Sequence, residues 1–228
     1  MSELKNIHKG RRGVIIGAGW SLTETDLSPF KDDVIFACNV ATTAINHCNY
    51  FCMSDGADPE SNFFEHGCNI SDKIIFFGDG FFIAPGVIKS WEKIKDKSIF
   101  LERLLDVCNF NFDNGKIIWG YDIGHCMANM AHVMGCSPLV LVGFDLNYKN
   151  HKKYCASSIG PVQWSETQGF GSKIFYSSLP DGDDDPNLKC SFETWKTIKT
   201  VNSTVQFFIT NPQSKLNSVF PLFKKGVN

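Results

Sequence analysis

Val14, Ile15 and Ile16 stand side by side with no polar residue between them, and Gly17 and Gly19 follow. An unbroken apolar run fits a strand buried on both faces, as in a parallel sheet, because a half-exposed strand alternates apolar with polar. The same reasoning predicts strands over residues 13–17, 33–38 ("DVIFAC"), 49–54 ("NYFCMS"), 73–77 ("KIIFF"), 98–101, 116–120 ("KIIWG"), 139–142 and 204–210 ("TVQFFIT"). Between the last three the periodicity changes. Ile123, Met127, Met130, Ala131 and Met134 share one face of a helix over 123–134, and Gly135 stops it. A second helix is predicted over 188–201. From 148 to 186 the pattern gives way to Gly, Ser, Asp and Pro, the composition of a long functional loop or lid.

Strands alternating with helical connections imply an α/β fold with one doubly wound, mostly parallel sheet. Ligands of such sheets bind beyond the carboxyl ends of the strands. The candidate site is therefore Gly17–Ser21, Asn39, Asp55, 120–124 and 145–148.

Length and charge narrow the picture. The chain has 228 residues, enough for one large α/β domain spanning 1–228. It is 43% hydrophobic with a formal net charge of -2, and no basic stripe invites nucleic acid. Nine cysteines, an odd number, and an N-terminus without an apolar core point to reduced thiols in a cytoplasmic protein. None has C-x-x-C spacing, so no metal site is expected. The tail "SVFPLFKKGVN" is apolar and then basic, which suits either a docked C-terminus or a weak contact with a membrane surface.

The glycine turn can let an anion approach main-chain N–H groups, with Ser21 capping a following helix and donating to a phosphate oxygen. It can equally be a tight strand-to-helix turn. Trp20 stacks on a ligand or packs on its own domain. At the second strand end, where dinucleotide folds carry an acid, stands the amide Asn39, which can read a ribose or a base edge. Asp55 and Asp145 follow apolar strands and suit a cation, a sugar hydroxyl or a loop cap. Tyr148 and Tyr154 can donate to a departing phosphate without a metal. His125 near a helix start and His151 between the tyrosines are candidate bases.

The blocks "VIIGAGWSL" (14–22), "FACN" (36–39), "MSDG" (53–56), "GHCMANMAHVMG" (124–135), "LVLVGFDLNY" (139–148) and "ITNPQSKL" (209–216) run in a familiar order. The chain resembles two related groups, the bacterial sialyltransferase family with a Rossmann-like sheet and the MptE-like group, which includes an archaeal hydroxymethyl-dihydropterin diphosphokinase. The resemblance implies a Rossmann-like, glycosyltransferase-A-like sheet with a nucleotide over the first turn. Gly17, Gly19 and Ser21 match the phosphate side, with Ala18 between them as part of the same nucleotide-binding turn, and Asn39 matches a nucleotide-contacting asparagine. Gly124 and Asp145 stand in the adjoining matched blocks. Tyr148 and Tyr154 match a tyrosine pair that stabilises the leaving phosphate. Ala18 and Trp20 depart from the motif's Asn and Pro, and no histidine follows His151, so Asp55 or His151 takes the place of the general base.

The expected function is a nucleotide-dependent transferase, a sialyltransferase-like glycosyltransferase that uses a nucleotide-sugar and a glycan or small-molecule acceptor in surface-glycan synthesis. No tightly bound cofactor is expected. The alternatives are an MptE-like diphosphokinase using ATP with Mg²⁺ and an inactive nucleotide-binding module.

Overall fold

The computed structural model describes residues 2–53, 62–78, 93–101, 103–104, 110–118, 120–149, 155, 158, 186–224 and 226. Asp55, His151, Tyr154 and most of the 148–186 segment lie outside the described residues.

Seven strands form one parallel sheet: β1 (Gly13–Ile16), β2 (Val34–Cys38), β3 (Cys48–Met53), β4 (Ser71–Phe77), β5 (Ser98–Leu101), β8 (Leu139–Val142) and β9 (Phe207–Ile209). Their order across the sheet is β5-β4-β3-β2-β1-β8-β9. The order runs outward in one direction from β1 and then resumes on its other side at β8. The reversal of a doubly wound sheet therefore falls between β1 and β8, the topological switch point.

The unbroken apolar runs do what their pattern requires. Ile15 points into one core layer with Phe36, Cys52 and Leu141, while Val14 and Ile16 point into the other with Ala37, Phe51 and Val142. The first layer is covered by α2 (Ile123–Val133) and α3 (Pro186–Val201), the second by α1 (Asn62–Ile70) through Phe63, Phe64 and Cys68. Gly135, at φ +85°, ends α2 in the left-handed conformation that favours glycine.

Three elements differ from the sequence pattern. Among the described residues of 116–120 the strand is β7 (Ile117–Ile118), which pairs with β6 (Arg103–Leu104) in a separate two-stranded ribbon. Side chains of α2 take its backbone groups: Asn129 Oδ1 accepts the Ile118 N–H at 2.9 Å and Cys126 Sγ donates to the Ile118 carbonyl. Helix α1 is not announced by its sequence because Gly67 sits inside it. There the ring of Phe51 lies 2.8 Å from where a Cβ would stand, so packing has overridden helix propensity. Finally, the glycine turn opens into a five-residue 3-10 turn, Trp20–Glu24, and not an α-helix.

The tail is docked. Ile209 bridges to Leu222 along the β9 edge, Phe220 is buried, and the Arg12 guanidinium stands 5.1 Å from the Phe223 ring centroid. These apolar side chains are spent on the sheet edge rather than offered to a surface. Among the described residues no helix is long and apolar enough to cross a membrane. The eight cysteines among them form no disulfide with one another, and seven are buried.

Trp195 of α3 is the hub of the first layer, fully buried and packed edge-on to Phe144, Phe207 and Phe220. Its Nε1 has no hydrogen-bond partner among the described residues. Trp195→Ala is expected to destabilise by about 3–5 kcal/mol in urea unfolding. Trp195→Phe loses no hydrogen bond and is expected to cost clearly less.

Candidate functional site

The carboxyl ends of β1 and β8 are stitched together by alternate N–H groups of the glycine turn. Gly17 N–H donates to Val142 O and Gly19 N–H to Gly143 O, both at 2.8 Å. Ser21 N–H continues the series to Asp145 Oδ2 at 2.8 Å, and the Ser21 hydroxyl donates to Asp145 Oδ1 at 2.5 Å. From the far side Asn211 Nδ2 donates to Asp145 Oδ1 at 2.7 Å. One buried carboxylate thus ties the turns after β1, β8 and β9. Burial raises the pKa of Asp145, while the bonds from Ser21 and Asn211 oppose the rise.

The glycines are there because the two turns almost touch. A Cβ on Gly17 would stand 2.8 Å from Gly143 O and 2.9 Å from the Phe144 ring. A Cβ on Gly19 would overlap Asp145 Oδ2 and come 2.5 Å from Gly143 O. A Cβ on Gly124, at the start of α2, would run into the same Phe144 ring. Phe144 therefore fills the gap between the β1 turn and the amino end of α2. Gly17, Gly19, Ser21, Gly124 and Asp145 are brought together at the carboxyl ends of β1 and β8. Gly143 and Leu146, at φ +68° and +52°, give the β8 turn its sharp return.

Ser21 and Asp145 satisfy each other. The 3-10 turn is preceded by Gly19, with no side-chain cap, so Ser21 spends its hydroxyl on Asp145 and not on a helix end. The Ala18 carbonyl accepts the Cys155 N–H at 2.9 Å, and Ser158 bonds the Thr43 carbonyl through its N–H at 3.0 Å. Cys155 and Ser158 thus bond to the segments that follow β1 and β2. Trp20 is buried on its own domain: Nε1 donates to Asn147 Oδ1 at 3.0 Å and Lys149 Nζ stands 4.1 Å from the ring centroid.

Asn39 ends β2 at φ +45°, a left-handed conformation that Asn tolerates better than most residues. Its carbonyl accepts the Thr42 hydroxyl, and its side-chain amide has no partner among the described residues. Tyr148 lies beyond the β8 turn, 8% exposed. Among the described residues no group of three His, Cys, Asp or Glu could hold a metal ion.

Sequence reasoning did not single out Asp122, Phe144, Ser191 or Asn211. Asp122 is the N-cap of α2 in a capping box with His125. Its D-x-x-H spacing was a legible signal. Asn211 and Ser214 lie in the "ITNPQSKL" block, and Ser214 Oγ donates to Phe144 O at 2.6 Å. His125 is fully buried against Trp195, with ring centroids 4.6 Å apart. Burial lowers its pKa; the Asp122 charge and the nearby backbone of Ser191 pull the other way.

The fold agrees with comparisons to known proteins. A family model described as 6-hydroxymethylpterin diphosphokinase MptE-like matches residues 1–151. The chain belongs to the MptE-like family. Among solved structures it is similar to the sialyltransferase CstII from Campylobacter jejuni in complex with cytidine-5'-monophosphate. That match has a TM-score of 0.56 at 15% identity, covering 95% of this chain and 86% of that one. CstII in complex with CMP-3FNeuAc matches with a TM-score of 0.57 at 14% identity, covering 94% and 87%. These likenesses establish a shared Rossmann-like α/β fold. A search of curated proteins finds no significant match.

Two tests follow from the geometry. Gly19→Ala pushes a methyl group into the Gly143 carbonyl and the held Asp145 carboxylate, and is expected to lower the melting temperature markedly; a melting curve equal to wild type contradicts the stitched turns. His125 is held neutral, so its contribution to stability is complete above its ordinary pKa of 6.5 and is lost as pH falls below it. Wild-type stability is expected to fall more steeply than that of His125→Gln below pH 6.5.

Proposed function

We propose that the protein is a nucleotide-dependent transferase that moves a sugar from a nucleotide-sugar to a glycan or small-molecule acceptor. The observation that carries this reading is the reversal of strand order between β1 and β8, where a close-packed glycine turn stands with Asn39, whose side-chain amide has no partner among the described residues. Open α/β sheets bind nucleotides at this point of the topology. The CMP and CMP-3FNeuAc complexes of CstII, a protein of like fold, support a cytidine nucleotide there.

In this reading the Gly17–Ser21 turn, with Ala18 in it, approaches the phosphate. Asn39 reads the ribose or base, and Gly124 keeps the amino end of α2 close. Asp145 holds the turns together. Tyr148, with Tyr154, assists departure of the phosphate, so no metal and no tightly bound cofactor is required. Asp55 and His151 are the sequence candidates for the base. A single domain working in the cytoplasm on surface-glycan precursors fits this chemistry.

The family description favours a second reading, a diphosphokinase using ATP with Mg²⁺. It must find its metal ligands outside Asp145, whose two oxygens are both engaged.

A thermal-shift panel separates the readings. CMP and a CMP-sugar are expected to raise the melting temperature without Mg²⁺, with about 2.7 kcal/mol of stabilisation at a ligand concentration 100 times Kd. A shift only with ATP and Mg²⁺ supports the diphosphokinase; no shift with any nucleotide contradicts both.

A further inference from the structure

At the amino end of α2, Asp122 makes more contacts than a helix cap needs. Its Oδ1 accepts the His125 backbone N–H at 3.3 Å, which is the cap itself. Its Oδ2 accepts the hydroxyl of Ser191, brought in from α3. The His125 ring completes the cluster. Nδ1 accepts the Asp122 N–H at 3.3 Å, so the proton of the neutral ring sits on Nε2. That Nε2 is fully buried, has no hydrogen-bond partner of good geometry among the described residues, and stands 3.5 Å from Asp122 Oδ2. Three groups therefore converge on one carboxylate whose side chain is nevertheless 28% exposed.

Asp122 Oδ1 is 2.7 Å from the place of a Cβ on Gly124, where the Phe144 ring also packs, and that ring extends to Gly17. The carboxylate thus lies beside the Phe144 ring that packs against the β1 turn. Each oxygen accepts one short-range bond from the protein and keeps a lone pair in reserve. Tyr121, beside it, is 59% exposed.

We propose that Asp122, rather than Asp55 or His151, is the base that takes the proton of the acceptor hydroxyl. The assignment rests on the reading of the β1–β8 reversal as a nucleotide-dependent transferase site. The acceptor oxygen bonds to the anomeric carbon of the nucleotide-sugar while the bond from that carbon to the phosphate oxygen breaks. The electron pair of the broken bond leaves with the phosphate, and the acceptor's proton ends on Asp122. Ser191 and His125 are positioning residues: they fix the carboxylate and do not exchange protons with substrate. A base here makes a histidine in or beyond the 148–186 segment unnecessary.

Asp122→Asn is the direct test, because Asn caps a helix as well as Asp but does not accept the proton. Nucleotide release from CMP-, UDP- and GDP-sugars is followed with a mixture of mono- and disaccharide acceptors, beside the thermal shift given by the same donors. The variant is expected to keep the wild-type thermal shift and to turn over about 10²–10⁴-fold more slowly. Asp122→Glu is expected to recover part of the rate. Ser191→Ala leaves the cap bond intact and is expected to lower kcat several-fold with the donor KM unchanged; an unchanged kcat counts against the cluster's role. Turnover of Asp122→Asn within about 3-fold of wild type, with the donor still bound, overturns the assignment and leaves the nucleotide site standing. A wild-type protein that no donor stabilises overturns the reading of the site, and the assignment with it.

Discussion

The carboxylate of Asp145 holds the functional end of this molecule in place. It collects the N–H and the hydroxyl of Ser21 and the amide of Asn211, from segments that are 124 and 66 residues away along the chain. A buried charge is tolerable only when it is this well bonded. The bonds in turn dictate the spacing of the three turns. Once the β1 turn is drawn to Asp145, it lies so near the β8 turn that only glycine fits at 17 and 19. Phe144 is then pressed against Gly124, which fixes how closely the amino end of α2 approaches. Glycine turn, Phe144 packing and helix start are consequences of one anchored carboxylate.

That chain of constraints gives the glycines a different first role from the one their spacing suggests. Their N–H groups are engaged with the β8 turn. In the proposed reading the ligand meets Ala18, Asn39 and Asp122. Cys155 and Ser158 bond to the carbonyls of Ala18 and Thr43 beside it. The replacement of the motif's Asn and Pro by Ala18 and Trp20 has a local meaning here. Trp20 anchors the turn to Asn147 and Lys149, and the Ala18 carbonyl accepts the Cys155 N–H.

Much of this architecture was legible in the sequence. Strands buried on both faces announce themselves as unbroken apolar runs, and β1, β2, β4 and β8 were readable within a few residues for that reason. The face of α2 and its glycine stop were legible because periodicity and a left-handed terminus both leave local marks. Helix α1 was not, because Gly67 is there for the Phe51 ring, a tertiary reason that no local propensity records. Of the strand expected over 116–120, Ile117–Ile118 pairs as β7, and Asn129 and Cys126 take backbone groups of Ile118. At the site, the strand-end positions followed from topology alone. The partnership of Ser21 with Asp145 did not, because nothing within either turn names a partner in the other. Asp122 left a local trace in its capping spacing, but its exposure and its neighbours appear only when α2 and α3 are assembled.

The central claim is that the β1–β8 reversal binds a nucleotide. A crystal structure of the protein grown with CMP tests it most directly. The account predicts the phosphate over the Gly17–Gly19 turn, with ribose or base bonded to the side chain of Asn39. A nucleotide bound at the amino ends of the strands, or a site left empty at saturating CMP, would contradict it.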